Sequence, residues 1–316
     1  MSKLKFYPEE VLFAPGTQCN LHCPHCFVTR NNEVLNSQDA INFLESCKGT
    51  TIRRIGFTGG EPFLYTDFLV DVIKYAVSTS YTFDHIQTNG VWWTSKDELN
   101  EKLNRVRDAG FDGKFGLSFD SFHGLKLAAI KDFCDAVFKI FDGTSIEIQS
   151  VISQFQIDIK NIEFLANYLK CKIEYDLDEE TGVGTILIKN DTIFIPVYRQ
   201  LQSFPSTDTR TWKAAKWFKD DYCEGPGQVL YVHSNGNIAP CCGFSNENEK
   251  LIIGNIKQDF DTVMHQASKN EMLKICYNDG LSSQIKAFKK AKIDFPGKTE
   301  DICAFCEFVC NHIKEK

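Results

Sequence analysis

Residues 17–27 read TQCNLHCPHCF and carry three cysteines, Cys19, Cys23 and Cys26, in the spacing C-x3-C-x2-C. Four protein ligands close a structural metal site, whereas three leave one coordination position open. A cubane iron–sulfur cluster has four irons and is usually held by four thiolates, so three thiolates leave one iron without a protein ligand. The spacing therefore predicts a cluster with one open iron.

A zinc site is the alternative that the spacing alone leaves open. Its fourth ligand would be remote in the sequence or one of the neighbouring histidines, His22 and His25. Zinc loops more often use paired C-x2–4-C spacing with partners some distance along the chain. The iron–sulfur cluster is therefore the favoured interpretation.

The composition indicates a soluble globular protein, because 43% of the 316 residues are hydrophobic and 24% are charged. The net charge of −7 implies no general nucleic-acid-binding surface. The N-terminal stretch MSKLKFYPEE lacks the apolar core of a signal peptide, and no run approaches the ~18 apolar residues of a membrane span. We therefore expect a cytoplasmic protein without nucleic-acid or membrane partners. Its 13 cysteines then serve metal ligation or thiol chemistry rather than disulfides.

Short apolar runs alternate with amphipathic stretches from residue 11 to about residue 176. The strand candidates are VLFAPG, RRIGFTG, FDHIQTN, KFGLSFD and SIEIQSVIS. The helix candidates are residues 37–47, 67–79, 95–108, 124–140 and 159–170. This alternation predicts an α/β fold whose parallel sheet is open or curled into a partial (β/α) barrel. Such barrels place their chemistry at the carboxyl ends of the strands, and the three cysteines follow the first strand candidate.

The pattern changes near residue 180. The stretch TILIKNDTIFIPVY alternates apolar and polar residues around a KND turn, and QVLYVHSNGNIAPCC repeats the pattern around SNG. Helical sequence at about 259–290 then leads to the cysteine-rich tail DICAFCEFVC. We therefore predict two domains, residues 1–180 and a smaller β-hairpin and helix domain at residues 181–316.

The stretch GFTGGEP ends the second strand candidate and contains Gly59, Gly60 and Glu61. Two glycines let a ligand approach the backbone closely, and a glutamate supplies an acceptor for an ammonium group. A GGE sequence alone is usually a turn. Here it falls at the same predicted sheet edge as the cysteines, one βα unit later, which favours a binding role.

Together the two motifs resemble the radical S-adenosylmethionine (SAM) enzymes, over about residues 11–176. The family signature matches the three cysteines, with His25 in the usually aromatic slot and Phe27 after the last cysteine. The resemblance implies a 4Fe–4S cluster whose open iron is chelated by the amino and carboxylate groups of SAM. It also implies that the GGE segment holds the SAM amino group and that Phe27 belongs to the cofactor site.

The resemblance extends to the ends of the third and fourth strand candidates. The family places ribose and carboxylate contacts after the fourth strand, here SFDSFH, which makes Ser118 and Asp120 candidates. Asn89, in QTNG after the third strand, is a further candidate at the same rim. Helix capping or turn formation is the structural alternative for all three.

A second set of cysteines lies towards the C-terminus and is similar to the auxiliary-cluster appendage of many radical SAM enzymes. The longer form, called SPASM, holds two clusters with seven cysteines, and the shorter form, called twitch, holds one. The C-x2-C-x5-C-x3-C run of the longer form is missing, which favours the short form. One cluster takes four thiolates. We assign Cys223, Cys241, Cys303 and Cys306, with Cys310 as a replacement for one of them and a zinc ribbon as the alternative.

Cys242 follows Cys241 directly at the end of a strand candidate. Successive strand side chains point to opposite faces, so a Cys241 that faces the auxiliary cluster would turn Cys242 away from it. A thiol in that place is a good hydrogen-atom donor, and a small buried hydrophobe is the alternative. The buried alternative is favoured for the cysteines in helix or strand interiors, Cys47, Cys134 and Cys171, and Cys276 is left undecided.

The resemblance implies SAM cleavage to a 5′-deoxyadenosyl radical, with an external one-electron reductant of the flavodoxin or ferredoxin type. The segments APCC and SFDSFH and the C-x2-C tail are most similar to the radical SAM peptide epimerases. In that chemistry the radical takes a Cα hydrogen from an L-residue of a precursor peptide, and a cysteine returns hydrogen to the opposite face. Cys242 suits that role by residue type and position. The alternatives are a thioether or carbon–carbon crosslinking peptide maturase, a twitch-type small-molecule dehydrogenase and a zinc-stabilised binding module.

Overall fold

The computed structural model describes residues 3–124, 126–152, 155–224 and 227–313. The chain divides into two compact units. The first unit comprises Met1–Leu12, Gln38–Arg53 and Ser203–Lys316, and the second comprises Phe13–Ser37 and Arg54–Gln202. Both units contain helices and strands, and none of the described helices is long and apolar enough to cross a membrane.

The second unit is organised around a mainly parallel sheet. Its strands are β2 (Arg54–Phe57), β3 (Thr82–Thr88), β4 (Lys114–Ser118), β5 (Ile146–Ile152), β6 (Lys172–Leu177), β7 (Gly184–Lys189) and β8 (Phe194–Leu201). They lie in the order β2-β3-β4-β5-β8-β7-β6. The pairs from β2 to β5, and β5 with β8, are parallel, whereas β8–β7 and β7–β6 are antiparallel.

Helices follow four of these strands in the chain. They are α2 (Thr66–Ser78), α3 (Lys96–Asp108), α4 (Leu127–Ile140) and α5 (Phe155–Tyr168). The start of α3 shows why: Ser95 caps it by accepting from the Glu98 backbone N–H, as the SxxE pattern predicts. Its apolar residues at i, i+4 and i+7 form the buried face, Leu99, Leu103 and Val106.

The predicted α/β fold is therefore confirmed, and each predicted strand and helix of this region is present within a few residues of its expected bounds. Among the strands that the structure describes, the sheet ends at β6 without closing, which agrees with a partial barrel. Aromatic rings fill part of the core: Phe63 stacks on Trp92 at 4.4 Å, and Phe115 meets Phe133 edge-on at 6.0 Å.

The first unit contains a short antiparallel hairpin and most of the remaining helices. Its strands are β9 (Gly227–Val232), β10 (Asn237–Cys241) and β11 (Gly254–Asn255), while β1 (Glu10–Phe13) runs from this unit into the second. The helices are α1 (Ser37–Ser46), α6 (Phe260–Lys269), α7 (Glu271–Lys274), α8 (Ser282–Lys290) and α9 (Ile302–His312). Strands β9 and β10 pair as predicted around SNG, where Gly236 has a φ of +83°.

The predicted hairpin around KND is also present, as β7 and β8. It belongs to the second unit, and β8 pairs with β5 of the parallel sheet. The antiparallel pattern thus marks the end of the βα repeats and extends the same sheet. The domain boundary at residue 180 stays a prediction.

Candidate functional site

A cavity lies in the second unit, at the carboxyl ends of β2, β3 and β4 and beside the loop of residues 14–36. Its lining residues are Thr17, Cys19, Leu21, Cys23, His25, Cys26, Val28, Arg30, Thr58, Gly59, Gly60, Gln87, Thr88, Asn89, Ser118 and His123. The three N-terminal cysteines, both glycines, Asn89 and Ser118 are thus brought together. Glu61, Asp120 and Phe27 lie outside this lining.

The three cysteines lie on one loop whose two ends are tied together. The Asn31 backbone N–H donates to Thr17 Oγ1 at 2.7 Å, which brings the returning chain back to its start. Inside the loop, the Cys26 backbone N–H donates to the Cys23 carbonyl at 3.1 Å and forms a turn. This closed loop brings the three thiols to one cavity, although their residues are separated in the sequence.

Two N–H groups contact the Cys19 sulfur. The Leu21 backbone N–H lies 3.4 Å from it, and Asn89 Nδ2 lies 3.5 Å from it. Burial raises the pKa of the Cys19 thiol and the Glu61 carboxylate adds to the rise, while both donors and the Arg30 charge oppose it. Donors and a cation of this kind favour a thiolate. Three thiols line one cavity, and hydrogen-bond donors already contact one of them. This arrangement fits a cluster held by three thiolates.

The two glycines of GGE pack against the cysteine loop. The Gly60 backbone N–H donates to the Gly16 carbonyl at 3.0 Å. A Cβ on Gly60 would stand 2.2 Å from the Gln18 carbonyl oxygen, and one on Gly59 would stand 2.6 Å from that of Gly16. Gly59 also has a φ of +115°, which side chains rarely adopt. Glycine is therefore required here for backbone-to-backbone packing as well as for access from the cavity.

Glu61 is fully buried behind the cavity wall. Its carboxylate accepts from the Asn89 backbone N–H at 2.9 Å and from Thr88 Oγ1 at 2.8 Å. It also accepts from the Phe63 backbone N–H at 3.2 Å. Burial raises the pKa of Glu61 to about 7, although these three bonds oppose the rise. The carboxylate thus joins the ends of β2 and β3, and its direct contact with SAM stays a prediction.

Asn89 and Ser118 lie on the cavity wall, as their positions after β3 and in the last residue of β4 predict. Asn89 Nδ2 also donates to Asn20 Oδ1 at 2.9 Å, and Asn89 Oδ1 accepts from the Val91 backbone N–H at 2.8 Å. Asn89 therefore connects the cysteine loop to the end of β3. Its cofactor role and that of Ser118 stay predictions.

Asp120 is buried, with 1% of its surface exposed, and acts as a cap. Its carboxylate accepts from the backbone N–H groups of Phe122 at 3.0 Å, His123 at 3.2 Å and Val151 at 2.9 Å. It also bonds His123 Nδ1 at 2.8 Å. The capping alternative named from the sequence therefore describes these contacts, and a direct SAM contact by Asp120 stays a prediction.

His123 also lines the cavity, at the end of the segment SFDSFH, although its residue type and position in the sequence do not mark it as a site residue. Burial lowers the pKa of its imidazole, but hydrogen bonds to Asp120 and Cys23 outweigh burial and raise the pKa to about 9. Its ring meets that of His25 edge-on at 4.9 Å. Phe27, by contrast, is 38% exposed and stands outside the cavity lining, so its cofactor role stays a prediction without structural support.

The C-terminal cysteines lie in the first unit. Cys223 precedes β9, Cys241 ends β10, and the remaining three lie on α9, at Cys303, Cys306 and Cys310. Positions i, i+3 and i+7 share one helix face. Burial raises the pKa of the Cys303 thiol, and the nearby Asp301, Cys223 and Cys306 raise it further. These mutual effects place the thiols in one neighbourhood, which fits an auxiliary cluster.

Cys276, left undecided from the sequence, belongs to the same neighbourhood. It lies in a π-helical turn, Ile275–Asp279, and its sulfur is 3.9 Å from that of Cys306. Hydrogen bonds from Cys276 and Cys310 lower the pKa of Cys306 well below its usual range. The sequence offered no signal for Cys276, because the turn that carries it lies far from the cysteine motifs.

Cys241 and Cys242 differ sharply in environment. Cys241 is buried, with 7% exposed, whereas Cys242 is exposed. Adjacent residues at the end of a strand are expected to face opposite sides. Cys242 nevertheless raises the pKa of the Cys223, Cys241 and Cys303 thiols, so it lies beside the same group of cysteines. Cys47 and Cys134 are fully buried, in agreement with the structural role favoured for them, whereas Cys171 is partly exposed and the expectation of burial is wrong for it.

Two family models match the chain. Residues 13–136 match the radical SAM superfamily, and residues 223–307 match the iron–sulfur cluster-binding domain called SPASM. The chain therefore belongs to the radical SAM enzymes and carries an auxiliary iron–sulfur domain. Its cofactors are 4Fe–4S clusters and SAM, as predicted. The preference for the short, one-cluster form of the appendage stays a prediction.

Known proteins similar to the chain differ in how much of it they cover. The putative peptide biosynthesis protein YydG of Bacillus subtilis (strain 168) is 23% identical over 317 residues, covering 96% of this chain and 93% of that protein. A GTP 3′,8-cyclase of Listeria monocytogenes serotype 4b is 28% identical over 120 residues, 36% of this chain and 34% of that protein. The solved structure of native anSMEcpe with bound AdoMet and Cp18Cys peptide has a TM-score of 0.52 at 14% identity, covering 97% and 100% of the two chains. This last likeness supports the fold.

Proposed function

We propose that this radical SAM enzyme modifies a ribosomally synthesised peptide. The observation that carries the proposal is the end-to-end similarity to a relative whose name assigns it to peptide biosynthesis. The match to the cyclase covers only about a third of either chain. A peptide substrate is therefore favoured over a small molecule.

The specific reaction that we propose is the conversion of an L-residue to a D-residue. With one electron from the external reductant, bound cluster and SAM would supply a 5′-deoxyadenosyl radical and release methionine. The radical would take the Cα hydrogen of one substrate residue and become 5′-deoxyadenosine. The resulting planar carbon radical must then receive a hydrogen atom on its opposite face. Cys242 is suited to that second step, because it is an exposed cysteine next to Cys241, a buried candidate ligand of the auxiliary cluster.

The hydrogen return takes place at the Cys242 thiol. The Cys242 S–H bond breaks, its hydrogen atom forms the new Cα–H bond, and the sulfur becomes a thiyl radical. One electron from an external flavodoxin- or ferredoxin-type reductant and one proton from solvent restore the thiol. Because a thiol proton exchanges with solvent, the hydrogen placed on the product originates from water.

We further propose the ligand sets that hold the two clusters. The radical SAM cluster would be held by Cys19, Cys23 and Cys26, which line one cavity. The auxiliary cluster would be held by four of the thiols gathered in the first unit, namely Cys223, Cys241, Cys303 and Cys306. A cytoplasmic location accompanies this proposal, because the reductants that it requires are cytoplasmic proteins.

The experiment compares wild type with Cys242→Ser. Each is coexpressed with the short open reading frames that flank its gene, in heavy water, and the peptides are analysed for mass and for D-amino acids. Wild type should add one deuterium at an epimerised Cα. The variant should still form 5′-deoxyadenosine but yield little D-residue, because a carbon radical cannot readily open a serine O–H bond.

Cys171→Ser is the matched control, since Cys171 is a partly exposed cysteine with no proposed role. It should epimerise like wild type. Normal epimerisation by Cys242→Ser, or a wild-type product that carries a crosslink and no deuterium, would exclude the proposed reaction. Loss of iron in Cys242→Ser would instead show that Cys242 is a cluster ligand and make Cys241 the donor candidate.

A further inference from the structure

Arg30 reaches back across the cysteine loop from its far end. Its Nη1 donates to the Cys19 carbonyl at 3.0 Å, and its Nη2 donates to the Leu21 carbonyl. The same Nη1 lies 3.2 Å from His22 Nε2. One guanidinium therefore joins the segment that contains the first cysteine to the chain that leaves the loop.

The position of Arg30 is itself fixed by its neighbour in the chain. Asn31 closes the loop through its backbone N–H, which donates to Thr17 Oγ1, and its carbonyl accepts from Gln18 Nε2. With the backbone held on one side and two carbonyls on the other, the guanidinium has a defined place. It also lines the cavity that the three cysteines share.

Arg30 brings a permanent positive charge to this place. A guanidinium stays protonated at all relevant pH values, unlike an imidazole or an amine. Its Nη1 bonds the carbonyl of Cys19, so the charge lies beside the residue that is the first proposed ligand. Reduction adds an electron to a cluster, so a fixed cation nearby stabilises the reduced state more than the oxidised state.

We propose that Arg30 is a positioning residue for the radical SAM cluster, which holds the Cys19–His22 segment through two carbonyls and raises the reduction potential of the cluster through its charge. The inference rests on the proposed role of Cys19 as a ligand. Lysine would keep the charge but cannot span two carbonyls with a planar fork, whereas glutamine would lose the charge. The two substitutions therefore separate the two effects.

The test uses the full chain, reconstituted anaerobically with iron and sulfide, as wild type, Arg30→Lys and Arg30→Gln. Iron per chain is measured, and the potential is followed by electron paramagnetic resonance of the reduced-cluster signal that changes when SAM is added. We expect Arg30→Gln to shift this potential to a more negative value. Arg30→Lys should keep a potential near that of wild type but incorporate less iron.

Arg53→Gln is the matched control, because Arg53 Nη1 likewise donates to two carbonyls, those of Thr50 and Ile52, in the other compact unit. It should leave iron and potential unchanged. An unchanged potential in Arg30→Gln, an equal shift in Arg53→Gln, or a potential in Arg30→Lys as negative as that of Arg30→Gln would each overturn the proposal. The ligand assignment is checked separately, since Cys19→Ala should abolish the SAM-responsive signal whatever the role of Arg30.

Discussion

Replacing Asp120 by Asn should destabilise the second unit. The carboxylate is buried and accepts from three backbone N–H groups and from His123 Nδ1. An asparagine can keep one oxygen towards Phe122 and His123. Its other position then holds an NH2 group that faces the Val151 N–H, donor against donor.

The magnitude follows from these contacts. A buried donor left without an acceptor costs about 1–3 kcal/mol. Breaking a buried ion pair by removing one charge costs about 3–5 kcal/mol, and the Asp120–His123 pair is buried on the Asp120 side. Both effects act through the oxygens of the same carboxylate, so the two energies are not added. We expect a total loss of about 3–5 kcal/mol in the free energy of unfolding.

The assay is urea denaturation of the apoprotein, followed by measurement of SAM affinity in the reconstituted enzyme. Asp142→Asn is the matched control, because Asp142 also accepts three hydrogen bonds, from Thr144 and Ser145, but is exposed. It should cost about 1 kcal/mol or less. Equal stability of Asp120→Asn and wild type, together with a selective loss of SAM affinity, would refute the capping role and return Asp120 to the cofactor site.

Two further predictions concern metal content and pH. Replacing Cys19, Cys23 and Cys26 together by Ala should leave about half of the ~8 irons per chain expected for two cubane clusters and abolish SAM cleavage, and full iron retention would contradict the ligand set. Because the pKa of Glu61 is raised in the folded protein, Glu61 contributes most to the free energy of unfolding below pH ~4.5, and this contribution is lost as the pH rises through about 7. The free energy of unfolding changes by ~3 kcal/mol over this range, at ~1.4 kcal/mol per pH unit. In urea denaturation of the apoprotein at pH 4.5 and pH 8, Glu61→Gln should remove this difference, and an unchanged difference would assign it to other groups.

The order of strands and helices in the second unit could be predicted from the sequence because it is a local property. The caps, apolar periodicities and turn residues of α3 or of the hairpin around KND act within a few residues of where they stand. The spacing of the three N-terminal cysteines is also local. It indicated the cluster and, with GGE, the enzyme class.

The pairing of the hairpin β7–β8 with the parallel sheet could not be predicted in the same way. Its alternating pattern shows two paired strands, but the pairing of β8 with β5 joins residues almost 50 positions apart, as in Ile148 with Val197. Pairing partners at that distance are chosen by which sheet edge is exposed. The one-dimensional pattern contains no record of that edge.

The functional site shows the same contrast between local sequence features and tertiary contacts. The sequence by itself determined which residue types carry the chemistry: thiols at cluster spacing, glycines at a strand end and a cysteine pair at the end of a hairpin. Only the tertiary structure decided that Glu61 and Asp120 are buried behind the cavity wall, bonded to backbone N–H groups of other strands or turns. It alone brought Arg30, His123 and Cys276 to the cysteines. The physical reason is that a buried charge or polar group takes its role from the donors that folding places around it, and those donors lie far away in the chain.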